Sequence, residues 1–295
     1  MTRNQHLLLT GALIAISLSG CKKWTDCSYY QNENAQTLEH DGKNREYILY
    51  VPSAYDGSSE IPIVFNFHGF AGKASEYMKE ADMRPQAEKD NFLLVYPQGS
   101  CLNGFSHWNA CPLGGDNKSD ANDFGFIEAM INKISAQYRV DQEKIYAVGY
   151  SNGGMMAYGL ANYKSDLVAG VGSVSGAQLD CIGAKTHPMP VIHLHGTADE
   201  ALPYNGNDEL SSVKSTLNYW INFNNTTTEP TFSSDNSGGK TIEKYAYVQG
   251  DSAVSVEHYK YIGGKHVWFE ATYQGQNTAE LLWSFLSKYD IKGLR

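Results

Sequence analysis

An α/β fold, with a mainly parallel central sheet and helices on both faces, is predicted by three observations. Short apolar runs of strand type alternate with amphipathic stripes of helical period along most of the chain. The middle runs are apolar throughout, as in strands covered on both sides, rather than apolar at every second residue. The chain is also long enough for a sizeable core, with 295 residues of which 42% are hydrophobic and 19% charged. That composition excludes a disordered chain, a coiled coil and a collagen-like fibre.

The elements follow in order. Residues 47–51 (Tyr-Ile-Leu-Tyr-Val) read as an early strand, and residues 62–68, 92–96, 144–148, 167–174 and 191–195 as further strands. Residues 254–261 give a late one. Phe126, Met130, Ile134 and Tyr138, widened by Ile127 and Ile131, form one helical face, with Asp123 placed to cap its start. A second helix is marked by Leu210, Val213, Leu217, Trp220 and Ile221. The last is marked by Leu281, Leu282, Phe285, Leu286 and Tyr289, with Asn277 and Glu280 spaced as a capping box. Residues 222–250 are rich in Thr, Ser, Asn and Gly and read as a loop or edge hairpin. No internal repeat is present.

Acids outnumber bases 32 to 23, a formal charge of −9. This argues against a general nucleic-acid grip, which needs a basic face. At the N-terminus Arg3 precedes an apolar run over residues 7–18 that is too short to span a bilayer as a helix. The run ends in Leu18-Ser19-Gly20-Cys21, which resembles a bacterial lipobox. Residues 1–20 are therefore expected to be a lipoprotein signal peptide. Residues 21–44 would be the lipidated Cys21 and a polar tether, and residues 45–295 a single catalytic domain. Lys22 after the cysteine suggests the outer membrane, with lipid as the only membrane contact.

Cys27, Cys101, Cys111 and Cys181 remain, an even count that reads as two disulfides in an exported chain. Of three connectivities, Cys101 with Cys111 closes the shortest loop and is favoured, leaving Cys27 with Cys181.

Gly149-Tyr150-Ser151-Asn152-Gly153 lies between a strand and an expected helix and fits the G-x-S-x-G nucleophile elbow. A sharp turn there pushes the serine oxygen outward, and side chains at the flanking positions would crowd it. A serine needs a base, and the order serine, acid, histidine places the partners later in the chain. His266 follows the loop signal Gly263-Gly264-Lys265 and is the expected base, whereas His258 sits inside an alternating strand and reads as structural. Asp199, just past the run ending in His195-Gly196, is the expected acid, with Glu200 the neighbour in reserve. Oxyanion donors are expected from the backbone amides of Asn152 and of Phe70, the latter after the strand exit at Phe67-His68-Gly69. His193 and His195 share a strand face but have no third ligand nearby, so no metal is assigned, and no cofactor is expected. Residues 114–120 read as a polar surface loop rather than a calcium site.

At these residues the chain resembles the exported α/β-hydrolase esterases that include poly(hydroxybutyrate) depolymerases, feruloyl esterases and acetyl-xylan esterases. The resemblance runs through His68-Gly69-Phe70, Val95-Tyr96-Pro97, Trp108-Asn109, Asp123 with Gly125-Phe126-Ile127, residues 149–158, residues 195–199 with Pro203-Tyr204, and His266-Val267-Trp268. It implies Ser151 as nucleophile, Asp199 as acid and His266 as base of a serine carboxylesterase. Lys265 and Phe269 stand where the family often has glycine and proline, and Phe70 where many depolymerases carry cysteine. Trp108, Trp268 and Tyr204 are candidates to line the cleft, since aromatic faces suit a phenolic acyl group or a sugar ring. Feruloyl or acetyl esters on plant polysaccharide are favoured over polyester. A serine peptidase and a non-catalytic binding protein on the same scaffold are the competing classes.

Overall fold

The computed structural model describes residues 27–33, 35–112, 119–181 and 183–295. The expected signal peptide, the lipidation at Cys21 and most of the loop over residues 114–120 lie outside the described residues. The elements that position the site are β1 (Gln36–His40), β2 (Lys43–Tyr50), β3 (Ile61–Phe67), α1 (Ala74–Glu80), α2 (Arg84–Asp90), β4 (Leu93–Pro97), β5 (Ser100–Leu102), β6 (Phe105–His107) and α3 (Asp123–Ser135). They continue with β7 (Val140–Tyr150), α4 (Asn152–Tyr163), β8 (Gly170–Val174), β9 (Val191–Gly196), α5 (Val213–Asn224), β10 (Thr231–Ser237), β11 (Lys240–Tyr247), β12 (Val256–Tyr261) and α6 (Thr278–Leu286).

Ten strands form one sheet in the order β1-β2-β4-β3-β7-β8-β9-β12-β11-β10. The six from β4 to β12 run parallel. Antiparallel pairs close both edges. The parallel strands are buried through the middle of the sheet, β4, β8 and β9 at every residue, because both sheet faces are covered. One face packs Ile127, Met130, Leu160 and Trp220 from α3, α4 and α5. The other packs Ala74, Tyr77, Ala87, Leu281 and Phe285 from α1, α2 and α6. The predicted fold class is the observed one. Of the loop or edge hairpin expected over residues 222–250, the structure has the hairpin, β10 with β11, after α5 has run on to Asn224, and Asn277 with Glu280 forms the expected capping box.

Three expectations are corrected. The polar tether does not extend to residue 44: β1 pairs with β2, matching Leu38 with Arg45. An exposed edge strand needs only alternate half-buried residues, so Gln-Thr-Leu-Glu-His is polar enough to pass for a linker. The cap of α3 is Asn122, whose side chain accepts from the Gly125 amide. Asp123 instead turns inward, accepting from Arg45 at 2.7 Å and from the Asn109 amide at 2.8 Å.

The disulfides are Cys27–Cys101 and Cys111–Cys181, not Cys101–Cys111 with Cys27–Cys181. The reason is local. Cys101 lies on β5 opposite Ser106 of β6, and the chain then runs away from the hairpin. Ala110 reaches α4, where a Cβ on Gly159 would lie 2.4 Å from the Ala110 oxygen. Cys111 is thereby delivered to Cys181, whose Sγ lies 3.8 Å from the Ala110 oxygen.

Candidate active site

Ser151, Asp199 and His266 follow β7, β9 and β12, and the Gly69-Phe70 turn follows β3. All four lie at the carboxyl ends of parallel strands, where open α/β sheets build their sites. Ser151 sits between β7 and α4 with φ 54° and ψ −120°. A residue with a Cβ rarely adopts this conformation, and it is held only because the surroundings over-determine it. The Ser151 amide donates to the Val174 oxygen at 2.9 Å. A Cβ on Gly153 would lie 2.0 Å from the Phe67 oxygen, and one on Gly149 would lie 2.3 Å from the Gly153 oxygen. The turn is thus closed tightly enough that only glycine fits at both flanks. The Ser151 side chain makes no capping bond to α4, which leaves Oγ turned toward His266.

The hydrogen-bond chain is complete. His266 Nε2 lies 2.8 Å from Ser151 Oγ, and His266 Nδ1 lies 2.7 Å from Asp199 Oδ2. Asp199 is buried, and its other oxygen, Oδ1, accepts from the amides of Ala201 and Leu202 at 2.9 and 2.8 Å. Burial alone would push this carboxyl up, but hydrogen bonds from His195, His266 and the Leu202 amide outweigh it and hold it well below the usual carboxylate range. The Asp199 and His266 loops are pinned to each other: the Ala198 amide donates to the Gly264 oxygen and the Gly263 amide to Thr197 Oγ1. Tyr150 donates to the His266 oxygen at 2.9 Å, and its ring lies 5.0 Å from the imidazole.

This arrangement can activate a hydroxyl. His266 accepts the Ser151 proton through Nε2 while Nδ1–H remains on an ionised carboxylate that stabilises the resulting imidazolium. Asn152 opens α4, so its amide is among the first-turn donors without an intrahelical acceptor. Its side chain is locked across the cleft floor, accepting from the Trp108 amide at 2.7 Å and donating to the Trp108 oxygen at 3.1 Å. The turn carrying Phe70 touches the serine: a Cβ on Gly69 would lie 3.3 Å from Ser151 Cβ. The Phe70 ring is half exposed and stacks on Phe105 at 5.5 Å.

The remaining candidates divide. Trp108 is no cleft wall: it is 3% exposed, edge-on to Phe67, with its indole N–H donated to the His68 oxygen. It is buried because it braces the β3 exit. Tyr204 is partly buried and donates to His258 Nε2 at 2.8 Å, which ties its hydroxyl to the protein. Trp268 does line a cavity of about 630 Å³ with Glu80, Lys240, Ile262, Lys265 and Val267; the last two flank His266 in the chain, but none of Ser151, Asp199 and His266 lines it. His258 is buried and structural, and burial pushes it down to about 3. Among the described residues no group of His, Cys, Asp and Glu could hold a metal ion, and no described helix is long and apolar enough to cross a membrane. The Asn152 bridge and the Tyr150 contact escaped the sequence reading because both depend on backbone groups that only the folded turn brings near.

A family model described as Esterase PHB depolymerase matches residues 45–199, more than half of the chain. The chain belongs to that family. Among similar proteins, NocK of Nocardia uniformis subsp. tsuyamanensis is 34% identical over 56% of this chain and 48% of its own length. Feruloyl esterase B of Piromyces equi is 26% identical over 84% of this chain and 46% of its own length. The bifunctional acetylxylan esterase/xylanase XynS20E of Neocallimastix patriciarum is 24% identical over 85% of this chain and 34% of its own. The chain thus spans less than half the length of each of these relatives. An acetyl xylan esterase from Aspergillus awamori superposes with a TM-score of 0.65 at 15% identity, covering 86% of this chain and 99% of that one. At that identity the likeness concerns the fold, and it agrees with the α/β-hydrolase architecture read from the sequence.

Proposed function

We propose that this member of the Esterase PHB depolymerase family is a serine carboxylesterase. Ser151 attacks the ester carbonyl, His266 takes the proton and returns it to the leaving alcohol, and Asp199 orients the imidazole. The amides of Asn152 and Phe70 hold the oxyanion, and water then hydrolyses the acyl-enzyme. The observation that carries this reading is the unbroken Ser151–His266–Asp199 chain, with contacts of 2.8 and 2.7 Å. The substrates are feruloyl or acetyl esters on plant polysaccharide. Support comes from relatives named feruloyl esterase and acetylxylan esterase, and the cavity lined by Trp268 and the chain neighbours of His266 suits a sugar ring or phenol.

Polyester hydrolysis is the second reading, favoured by the description of the matching family. Two disulfides belong to an oxidising compartment, so the enzyme is exported, with Cys21 as its lipid anchor in the outer membrane.

A hydrolysis panel separates these readings: methyl ferulate, acetylated xylan, short p-nitrophenyl esters and poly(hydroxybutyrate) film, each with the native protein and with Ser151→Ala. The expected result is release of ferulate or acetate and about a 10⁶-fold loss of turnover in the variant. Full ester hydrolysis by Ser151→Ala would refute the nucleophile, and activity on the film alone would select the polyester reading.

A further inference from the structure

We propose that His195, held in one tautomer by His193 and Tyr158, is a positioning residue for Asp199 and so sets the basicity that His266 presents to Ser151. The inference deepens the ester-hydrolase reading and rests on it. Its basis is a second hydrogen-bonded line that enters the acid from behind. His195 Nε2 lies 2.8 Å from the Leu202 oxygen and 3.2 Å from Asp199 Oδ2. Both are acceptors only, so Nε2 must carry a proton and share it between them. In the neutral ring Nδ1 is then an acceptor, and it faces His193 Nε2 at 3.1 Å. His193 must therefore donate from Nε2 and accept at Nδ1, where the Tyr158 hydroxyl donates at 2.7 Å. One carbonyl oxygen thus fixes the direction of every bond in a line running from α4 through β9 to the acid.

The line is dry. Tyr158, His193 and His195 are 1%, 0% and 2% exposed, and the three rings stack nearly parallel, with adjacent interplanar angles of 23° and 25°. Other groups facing it are accounted for. His258 of β12 lies 5.5 Å from His193 and donates from Nδ1 to the His193 oxygen. Tyr204 sets its ring edge against His195 at 5.9 Å. Lys260, opposite His195 in the strand register, gives its ammonium to Glu243. His266, and beyond its imidazole Tyr150, which also feels Glu80, face Asp199 from the other side. Burial keeps His193 neutral by pushing it well down.

The consequence is directional. An N–H on Oδ2 competes with His266 for the same oxygen and withdraws charge from it. Without that N–H the carboxylate binds the imidazolium more strongly, and the base is lost at a higher pH. An ordinary structural histidine would change folding stability but not this limb of the rate profile.

The test uses the full chain with p-nitrophenyl acetate, recording kcat and KM against pH for His195→Phe, His195→Gln and Tyr158→Phe. The proton NMR signal of the His266–Asp199 hydrogen bond is followed in each. For His195→Phe the acid limb should rise by about half a pH unit and kcat should fall roughly tenfold with KM unchanged, with the low-field proton displaced. His195→Gln, which restores a donor near Nε2, should return the limb toward the native position. Tyr158→Phe removes one hydroxyl without a cavity and should move the limb the same way by less.

A folded His195→Phe with the native limb and native kcat would overturn the proposal, as would a His195→Gln no better than His195→Phe. If His195→Phe does not fold, Tyr158→Phe decides: a moved limb supports the role and an unmoved one refutes it. Failure of the esterase reading would look different, because the native protein would then neither hydrolyse the ester nor react with a fluorophosphonate. The NMR displacement in His195→Phe would still report on the hydrogen-bond line.

Discussion

Ser151 occupies a backbone conformation that most residues with a side chain avoid, and the strain is paid for by three contacts rather than one. The Val174 oxygen takes its amide, Gly149 and Gly153 leave room for neighbouring backbone, and Asn152 ties the next residue to Trp108. Gly153 is the narrowest of these points. Gly153→Ala would drive a methyl group to 2.0 Å from the Phe67 oxygen, so α4 must retreat from β3 and carry Ser151 with it. A displacement near 1 Å should lower kcat/KM by about 100-fold, measured with a p-nitrophenyl ester while circular dichroism reports the fold. If the larger alcohol extends past His266 into the cavity that Trp268 lines, Trp268→Ala should raise KM for feruloylated oligosaccharide several-fold and leave a small acetyl ester nearly unchanged. Equal KM changes for both esters would show that the indole serves packing alone.

Between elements, legibility followed burial. The parallel strands and the helices α3, α5 and α6 were readable because long apolar runs or stripes are what a sheet covered on both faces requires. The helices α1 and α2 were not: each has seven residues, neither has a side-chain cap, and only two residues of each are buried. The strand β1 was hidden by its polar alternation. Within the site, the serine, acid and base follow from the order of the chain and the strand–turn–helix setting of the serine. Trp108 went astray because sequence does not tell a wall from a brace. The disulfide pairing failed for a related reason, since shortest-loop reasoning ignores the β5–β6 hairpin that sends Cys101 and Cys111 apart.

That hairpin makes the Cys111–Cys181 bond an element-level support, because it ties the chain leaving Trp108 to the segment that follows β8. The bond spans 70 residues, for which chain-entropy arguments give about 4 kcal/mol. Replacing both cysteines with serine should lower the thermal midpoint by roughly 10 °C, read by differential scanning calorimetry. An unchanged midpoint would mean that packing of Ala110 on Gly159 suffices without the bond.

Across the whole molecule, stability is linked to pH through histidines that the fold keeps neutral. Burial pushes His68 down to about 4 and His258 to about 3, from an ordinary value of 6.5. As pH falls below 6.5 the unfolded chain takes up these protons first, so stability is complete above that pH. It is then lost progressively toward pH 4 and pH 3, at about 1.4 kcal/mol per pH unit for each ring. Asp199, held low, adds its own loss only in more acid solution. Urea midpoints at pH 7.5, 6 and 5 should therefore descend in that order, and a flat series would contradict the buried-neutral state of both rings.

The Cys27–Cys101 bond has a consequence for how the enzyme meets a surface. If Cys21 carries lipid, only five residues separate the acylated position from a covalent knot on the domain, a leash no longer than about 20 Å at full stretch. A domain moored that closely would meet ester polymer pressed against the membrane rather than material drifting past. Reducing that bond alone would add little line, because Tyr30 is buried and Asn32 still bonds to Glu46 and Gln98, so packing as well as the knot sets the reach.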